Sequence, residues 1–172
     1  MKKSFGLSIL VFSMLLACKS ISLTATPTPV TPVPEIILTE VLQKFDDCRS
    51  ERGVVAGDNT YSFNCYNSAD TSYGVSITRF DSEAAAKAEF ELSRGENPVL
   101  CFHGYDLYET LSENPGNQYI VWEDLGWQAG QWIVSVSTSY DYAYYHFSAS
   151  GFSEAVYTSG VEHDLFPAGT CP

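Results

Sequence analysis

The sequence predicts an α+β domain: an antiparallel sheet of about five strands, helices packed on one face, and two disulfides. Three observations lead there. Strand-like stretches follow one another across the short turn motifs "NSAD" (residues 67–70), "NPGN" (residues 114–117) and "AG" (residues 129–130), and such short connections require antiparallel pairing. Helical periodicity of three and four interrupts those stretches at three separate places. An even set of four cysteines, Cys48, Cys65, Cys101 and Cys171, lies within the same part of the chain.

Residues 35–45 read as an amphipathic helix, because Ile37, Leu38, Val41, Leu42 and Phe45 recur at helical spacing and Pro34 suits a first turn. A loop with Gly53 and Gly57 follows. Tyr61, Phe63 and Cys65 then alternate with Ser62, Asn64 and Tyr66. Over residues 72–80, Tyr73, Val75, Ile77 and Arg79 alternate with Gly74, Ser76 and Thr78, so the two strands form a hairpin. The stretch "FDSEAAAKAEFELSRG" starts a second helix. Asp81 is placed to cap it and Phe80 to pack on Ala85. Ala85, Ala88 and Leu92 line its inner face, and Gly95 is its left-handed stop.

Residues 99–108 are expected to form a strand with a bulge at Gly104. The strongest hairpin is "YIVWEDLGWQAGQWIVSVSTS", with strands over residues 118–127 and 131–139. A turn at Ala129 and Gly130 sets Trp127 opposite Trp132 and Leu125 opposite Val134. A longer loop centred on Trp127 sets Trp122 opposite Trp132 instead. Either register buries a tryptophan pair, and the two-residue turn is the expected one. Residues 142–147 add a short strand or a loop. A last helix over residues 152–163 turns Phe152, Ala155, Val156 and Ser159 inward and stops before Pro167.

Four cysteines allow three pairings, and sequence alone does not choose among them. Cys48 with Cys65 and Cys101 with Cys171 is the expected set. The first joins the end of a helix to the first strand, and the second pins the C-terminal tail. Under the chain-entropy model each closed loop contributes roughly 3 to 4.5 kcal/mol. No CxxC spacing is present, so the thiols do not point to zinc.

The N-terminus carries Lys2 and Lys3, then an apolar run over residues 5–16 that is shorter than the roughly twenty residues a spanning helix needs. It ends Leu15-Leu16-Ala17-Cys18, which resembles the lipobox of bacterial lipoproteins. That resemblance implies that the Cys18 thiol receives a diacylglycerol and that cleavage falls just before it. Residues 1–17 are then a signal peptide, residues 18–34 a lipidated cysteine with a Thr/Pro-rich stalk, and residues 35–172 a single globular domain. It implies residence at the extracytoplasmic face of the cell membrane, or in an outer membrane if the source has one. The stalk sequence "TATPTPVTPVP" favours extended polyproline-like backbone, reaching up to about 50 Å at ~3.1 Å per residue. The layout of the domain, with the "FDSEAAAKAEF" helix start and the late Trp–Gly–Trp hairpin, resembles extracellular sensor domains of bacterial membrane kinases and certain actinobacterial lipoproteins. It implies a central antiparallel sheet with flanking helices and two disulfides, and carries over no functional residue.

Net charge is −12, and beyond Arg94 the chain has ten acidic residues and neither Lys nor Arg. Such a field repels phosphate backbones, so nucleic acid is not an expected partner. The sequence holds no HExxH, G-x-S-x-G, Walker or calcium-loop motif. His103, His146 and His163 are scattered, and His163-Asp164 reads as a helix-end pair. No catalytic residue, metal or cofactor is therefore assigned. Carboxylate pairs such as Glu123 with Asp141 arise by chance in any acidic domain. Aromatic residues are more informative. Eleven Tyr, ten Phe and three Trp include the tract "SYDYAYYHF", and flat apolar rings beside carboxylates suit a sugar or peptide face. Trp122, Trp127, Tyr140, Tyr142, Tyr144 and Tyr145 are the candidate ligand-binding residues. The expected function is a non-catalytic ligand-binding or sensor-like domain on a membrane anchor, its ligand a glycan, a peptide or an envelope protein. Alternatives are a structural or assembly component of an envelope complex and a surface hydrolase with an unrecognised carboxylate pair.

Overall fold

The computed structural model describes residues 31–67, 71–114, 117–141 and 149–171, and every element below lies in the unit Thr31–Pro172. Cys18, the signal segment and most of the stalk lie outside the described residues, as does the tract with Tyr142, Tyr144 and Tyr145.

Seven strands form one antiparallel sheet: β1 (Val55–Ala56), β2 (Thr60–Tyr66), β3 (Ser72–Arg79), β4 (Leu100–Phe102), β5 (Tyr105–Asn114), β6 (Asn117–Ala129) and β7 (Trp132–Asp141). Their order is β1-β2-β3-β7-β6-β5-β4. Two runs of hairpins, β1 to β3 and β4 to β7, are therefore joined edge to edge along β3 and β7, where Val75 lies opposite Val136 and Ile77 opposite Val134. Antiparallel α+β architecture and both expected disulfides, Cys48–Cys65 and Cys101–Cys171, are present.

The expected count of about five strands is too low for two physical reasons. β1 is only two residues long and carries no alternation to read. Residues 99–108 are not one strand with a bulge. His103 (φ 51°) and Gly104 (φ 88°) are consecutive left-handed positions that fold the chain back as a two-residue hairpin turn between β4 and β5. A histidine at positive φ is uncommon, and that hides the turn. The β6–β7 turn falls at Gly130 and Gln131, one residue later than expected. Trp127 thus lies opposite Val134, and Leu125 opposite Val136. Faces survive this shift, but no tryptophan pair is buried. Trp127 packs instead among Phe102, Tyr105 and Phe166, at centroid distances of 5.5, 5.2 and 4.9 Å.

The helices occupy both faces, which corrects the expectation of one. α1 (Val33–Lys44) and α3 (Ala149–Glu162) cover the face bearing Phe63, Cys65, Tyr73, Val75, Val134 and Val136. Ile37, Leu38 and Val41 from α1 meet Phe152 and Val156 from α3 in this core, and Phe45 stacks on Phe152 at 4.0 Å. Phe152, Val156 and Ser159 point inward as their spacing predicts, and Pro34 sits in the first turn of α1. His163 Nε2 lies 2.9 Å from Glu40 Oε1, and the Ser159 hydroxyl donates to the same carboxylate, tying α3 to α1. The expected end-capping role of His163 is thus a side-chain pairing.

α2 (Glu83–Arg94) lies on the opposite face, with Ala86 and Phe90 against Tyr108 and Ile133. Its cap is Ser82, whose hydroxyl accepts the Ala85 N–H at 3.1 Å, rather than Asp81. Moving the cap by one residue turns the inward stripe from Ala85, Ala88 and Leu92 to Ala86 and Phe90, and Leu92 is 75% exposed.

Candidate functional site

Strands rich in Ser and Thr at every second position put their hydroxyls on one side of the pleat. In "SYGVSITR" (β3) and "WIVSVSTSYD" (β7) Tyr73, Val75, Ile77, Val134 and Val136 enter the α1–α3 core, and Ser72, Ser76, Ser135, Ser137 and Ser139 face the other way. Register then lines these residues up across strands. One row runs Tyr66, Ser72, Ser139, Trp122 and Ser112. The next runs Asn64, Gly74, Ser137, Asp124 and Thr110. In the third, Ser62, Ser76 and Ser135 lead to Gly126 and Tyr108, where α2 begins its cover.

The first two rows are half-buried or exposed. Trp122 is 45% exposed and Tyr66 52%. They stand three strand spacings apart, about 14 Å. Between them Ser72 and Ser139 share a hydrogen bond of 2.7 Å. In the second row, a Cβ on Gly74 would meet Ser137 Oγ at 2.8 Å and Asn64 Oδ1 at 3.0 Å, so those two polar groups converge over the glycine. Burial pushes the Asp124 carboxyl above the usual aspartate range, against a Thr110 hydroxyl that donates to it and pulls the other way. A cleft of about 390 Å³, lined by Ser62, Asn64 and Tyr66 with Glu51 and Arg52, extends the face past β2.

Two rings at either end of a strip of hydroxyl, amide and carboxyl groups can stack on flat apolar faces and exchange hydrogen bonds with hydroxyls between them. Of the candidate residues, Trp122 belongs to this strip. Trp127 does not: it is wholly buried, so it is a core residue with no surface to offer a ligand. Tyr140 is on β7, its side chain outside the described residues, and Tyr142, Tyr144 and Tyr145 lie outside them altogether. Glu123 points to the α3 side, whereas the Asp141 side chain is not among those described.

Tyr66, Asn64, Ser137 and Asp124 were not singled out from sequence. The alternation in β2 and β7 already put them on a common side, but only the β3–β7 pairing brings them together. Among the described residues no group of three or more His, Cys, Asp or Glu is placed to hold a metal ion, and no helix is long and apolar enough to cross a membrane.

No protein-family model matches the chain, and no curated protein does. A crystal structure from Bacteroides thetaiotaomicron VPI-5482 is similar at 14% identity with a TM-score of 0.38, over 63% of this chain and 39% of that one. The chain thus spans well under half the length of that protein.

Proposed function

We propose that this chain is a lipoprotein held by acyl chains on Cys18 at the extracytoplasmic face of a membrane, and that its domain is a non-catalytic glycan-binding module. The anchor rests on the lipobox and on the Pro-rich stalk that follows it. Two acyl chains hold a protein on a bilayer durably, at about 0.8 kcal/mol per buried CH₂. The observation that carries the binding reading is the row Tyr66, Ser72, Ser139, Trp122. Rings supply stacking surface for the apolar faces of pyranose units. The hydroxyls of Ser72 and Ser139, with Asn64, Ser137 and Asp124 beside them, supply donors and acceptors of the kind a polyol needs. A span of about 14 Å fits an oligosaccharide rather than a single sugar.

Retention of the full chain on immobilised chitohexaose, cellohexaose and mannohexaose tests this. Binding to at least one of them, lost in the Tyr66→Ala/Trp122→Ala double variant, supports the module. Equal retention of the wild type and the double variant on all three overturns it. Mass spectrometry of the membrane-extracted protein tests the tether separately, through the mass at residue 18.

A further inference from the structure

A second cleft lies on the other side of the sheet, beyond the edge of α3. It has a volume of about 400 Å³, and Glu109, Glu123, Leu107 and Leu125 form its sheet wall while Ser153 and Glu154 face it from α3. Glu109 and Glu123 are near neighbours on one face of adjacent strands, since Glu109 is opposite Leu125 and Glu123 opposite Leu111. Glu123 is only 6% exposed, although it is a carboxyl. It accepts the Ala149 N–H at the start of α3, and burial with Glu109 and Asp124 nearby pushes it above the usual glutamate range. An acidic cluster alone is ordinary surface. Here a second feature adds to it: Ser153 is wholly buried, lines the cleft, and its hydroxyl has no hydrogen-bond partner. A buried polar group left unpaired is costly, so the site as it stands lacks a donor or an acceptor.

Which chemistry completes it follows from charge. No Lys or Arg occurs after Arg94, so the stretch that builds this cleft contains neither. The nearby basic side chain is His103, and its Nε2 is already against Glu154 at 2.9 Å. Glu109 and Glu123 are left without a basic partner among the described residues. The remaining wall is apolar, with Leu107 and Leu125.

We infer that this cleft binds a primary alkylammonium, its –NH₃⁺ donating to Glu109, Glu123 and the Ser153 hydroxyl while its hydrocarbon lies along Leu107 and Leu125. An ammonium has three donors and no acceptor, which suits a cleft lined by two carboxylates and a hydroxyl. Among the described residues no group of three or more His, Cys, Asp or Glu is placed to hold a metal ion. The ammonium can come from a free amine or from a lysine side chain.

Calorimetric titration of the full chain in detergent with n-hexylammonium chloride, sodium hexanoate and hexan-1-ol tests the inference at constant ionic strength. Saturable binding of hexylammonium, with none of the other two, is expected. Glu123→Gln and Glu109→Gln should each weaken it roughly tenfold or more, as expected for loss of a charge-assisted hydrogen bond. Glu109 is exposed, so its variant tests the site without touching the core. A parallel titration with N-acetyl-lysine methylamide separates the sources: tighter binding than hexylammonium assigns the cleft to a polypeptide lysine, weaker binding to a free amine. No saturable binding of either ammonium, or affinity unchanged in both Gln variants, overturns the inference. Because the cleft is on the opposite side of the sheet from Tyr66 and Trp122, its failure leaves the glycan face untouched.

Discussion

Tyr108 and Gly126 face each other across β5 and β6, and the phenol ring lies so close over the glycine that a Cβ there would overlap it. This contact decides where α2 stops covering the sheet. Tyr108 can lie flat only because β6 has no side chain beneath it, and it packs there against Phe90 of α2 with ring centroids 5.4 Å apart. Beyond that point the rows with Trp122 and Asp124 are left uncovered by α2. Gly126→Ala should destabilise the fold by about 1–3 kcal/mol through overpacking. Urea denaturation checks this, and an unchanged midpoint would mean that the ring does not lie there.

The two aromatic sets should respond oppositely to truncation. Phe152 is fully buried and touches Phe45, Phe63 and Tyr73. Phe152→Ala should cost about 3–5 kcal/mol. Trp122→Ala, at a half-exposed position on a polar face, should stay within about 0.5 kcal/mol of wild type. Chemical denaturation of both variants side by side measures the contrast. Equal losses would place Trp122 in a core rather than on a platform.

The disulfides differ in access. Cys48 and Cys65 are buried, whereas Cys101 is exposed and Cys171 half-buried. Reductant under native conditions should therefore open Cys101–Cys171 first, because exchange needs a thiolate to reach the sulfur. Alkylation followed by peptide mass spectrometry should label Cys101 and Cys171 early and Cys48 and Cys65 only on unfolding. The reverse order would contradict the burial pattern.

Two glutamates should give opposite pH responses. The Ser159 hydroxyl and His163 hold the Glu40 carboxyl below the usual glutamate range. Its contribution is present above the ordinary glutamate pKa and is lost as pH falls through the depressed value. Glu123 is raised by burial, so its charge costs stability above the folded value, and that cost disappears as pH falls towards the unfolded value. Glu40→Gln should thus lower Tm at neutral pH, Glu123→Gln should raise it, and both differences should shrink in acid. Melting curves from pH 3 to pH 8 check the signs; a Glu123→Gln variant with a lower Tm than wild type at neutral pH would contradict the second.

Local pattern carried much of this fold. Alternation in residues 60–66 and 72–79 specified a hairpin because each strand has one buried and one wet side, and Phe152, Val156 and Ser159 were legible from helical spacing. Long-range pairing was not. Nothing local to "SYGVSITR" or "WIVSVSTSYD" says that β3 and β7 are neighbours, yet that pairing alone assembles Tyr66 with Trp122. Trp127 and Trp122 look alike in sequence, five residues apart and therefore on opposite sides of the pleat. Their parity relative to Leu125 is what separates core from platform. The shift of the α2 cap from Asp81 to Ser82 likewise turned one wrong residue into a wrong helix face.

The central claim is that the uncovered rows between Tyr66 and Trp122 are where a glycan lies. Its most direct test is a two-dimensional NMR titration of ¹⁵N-labelled full chain in detergent with the hexasaccharide it retains best. The indole N–H of Trp122 and the amides of Ser72 and Ser139 should shift together and saturate, while the buried Trp127 indole stays still. Shifts confined to other surfaces, or none at saturating sugar, would contradict it.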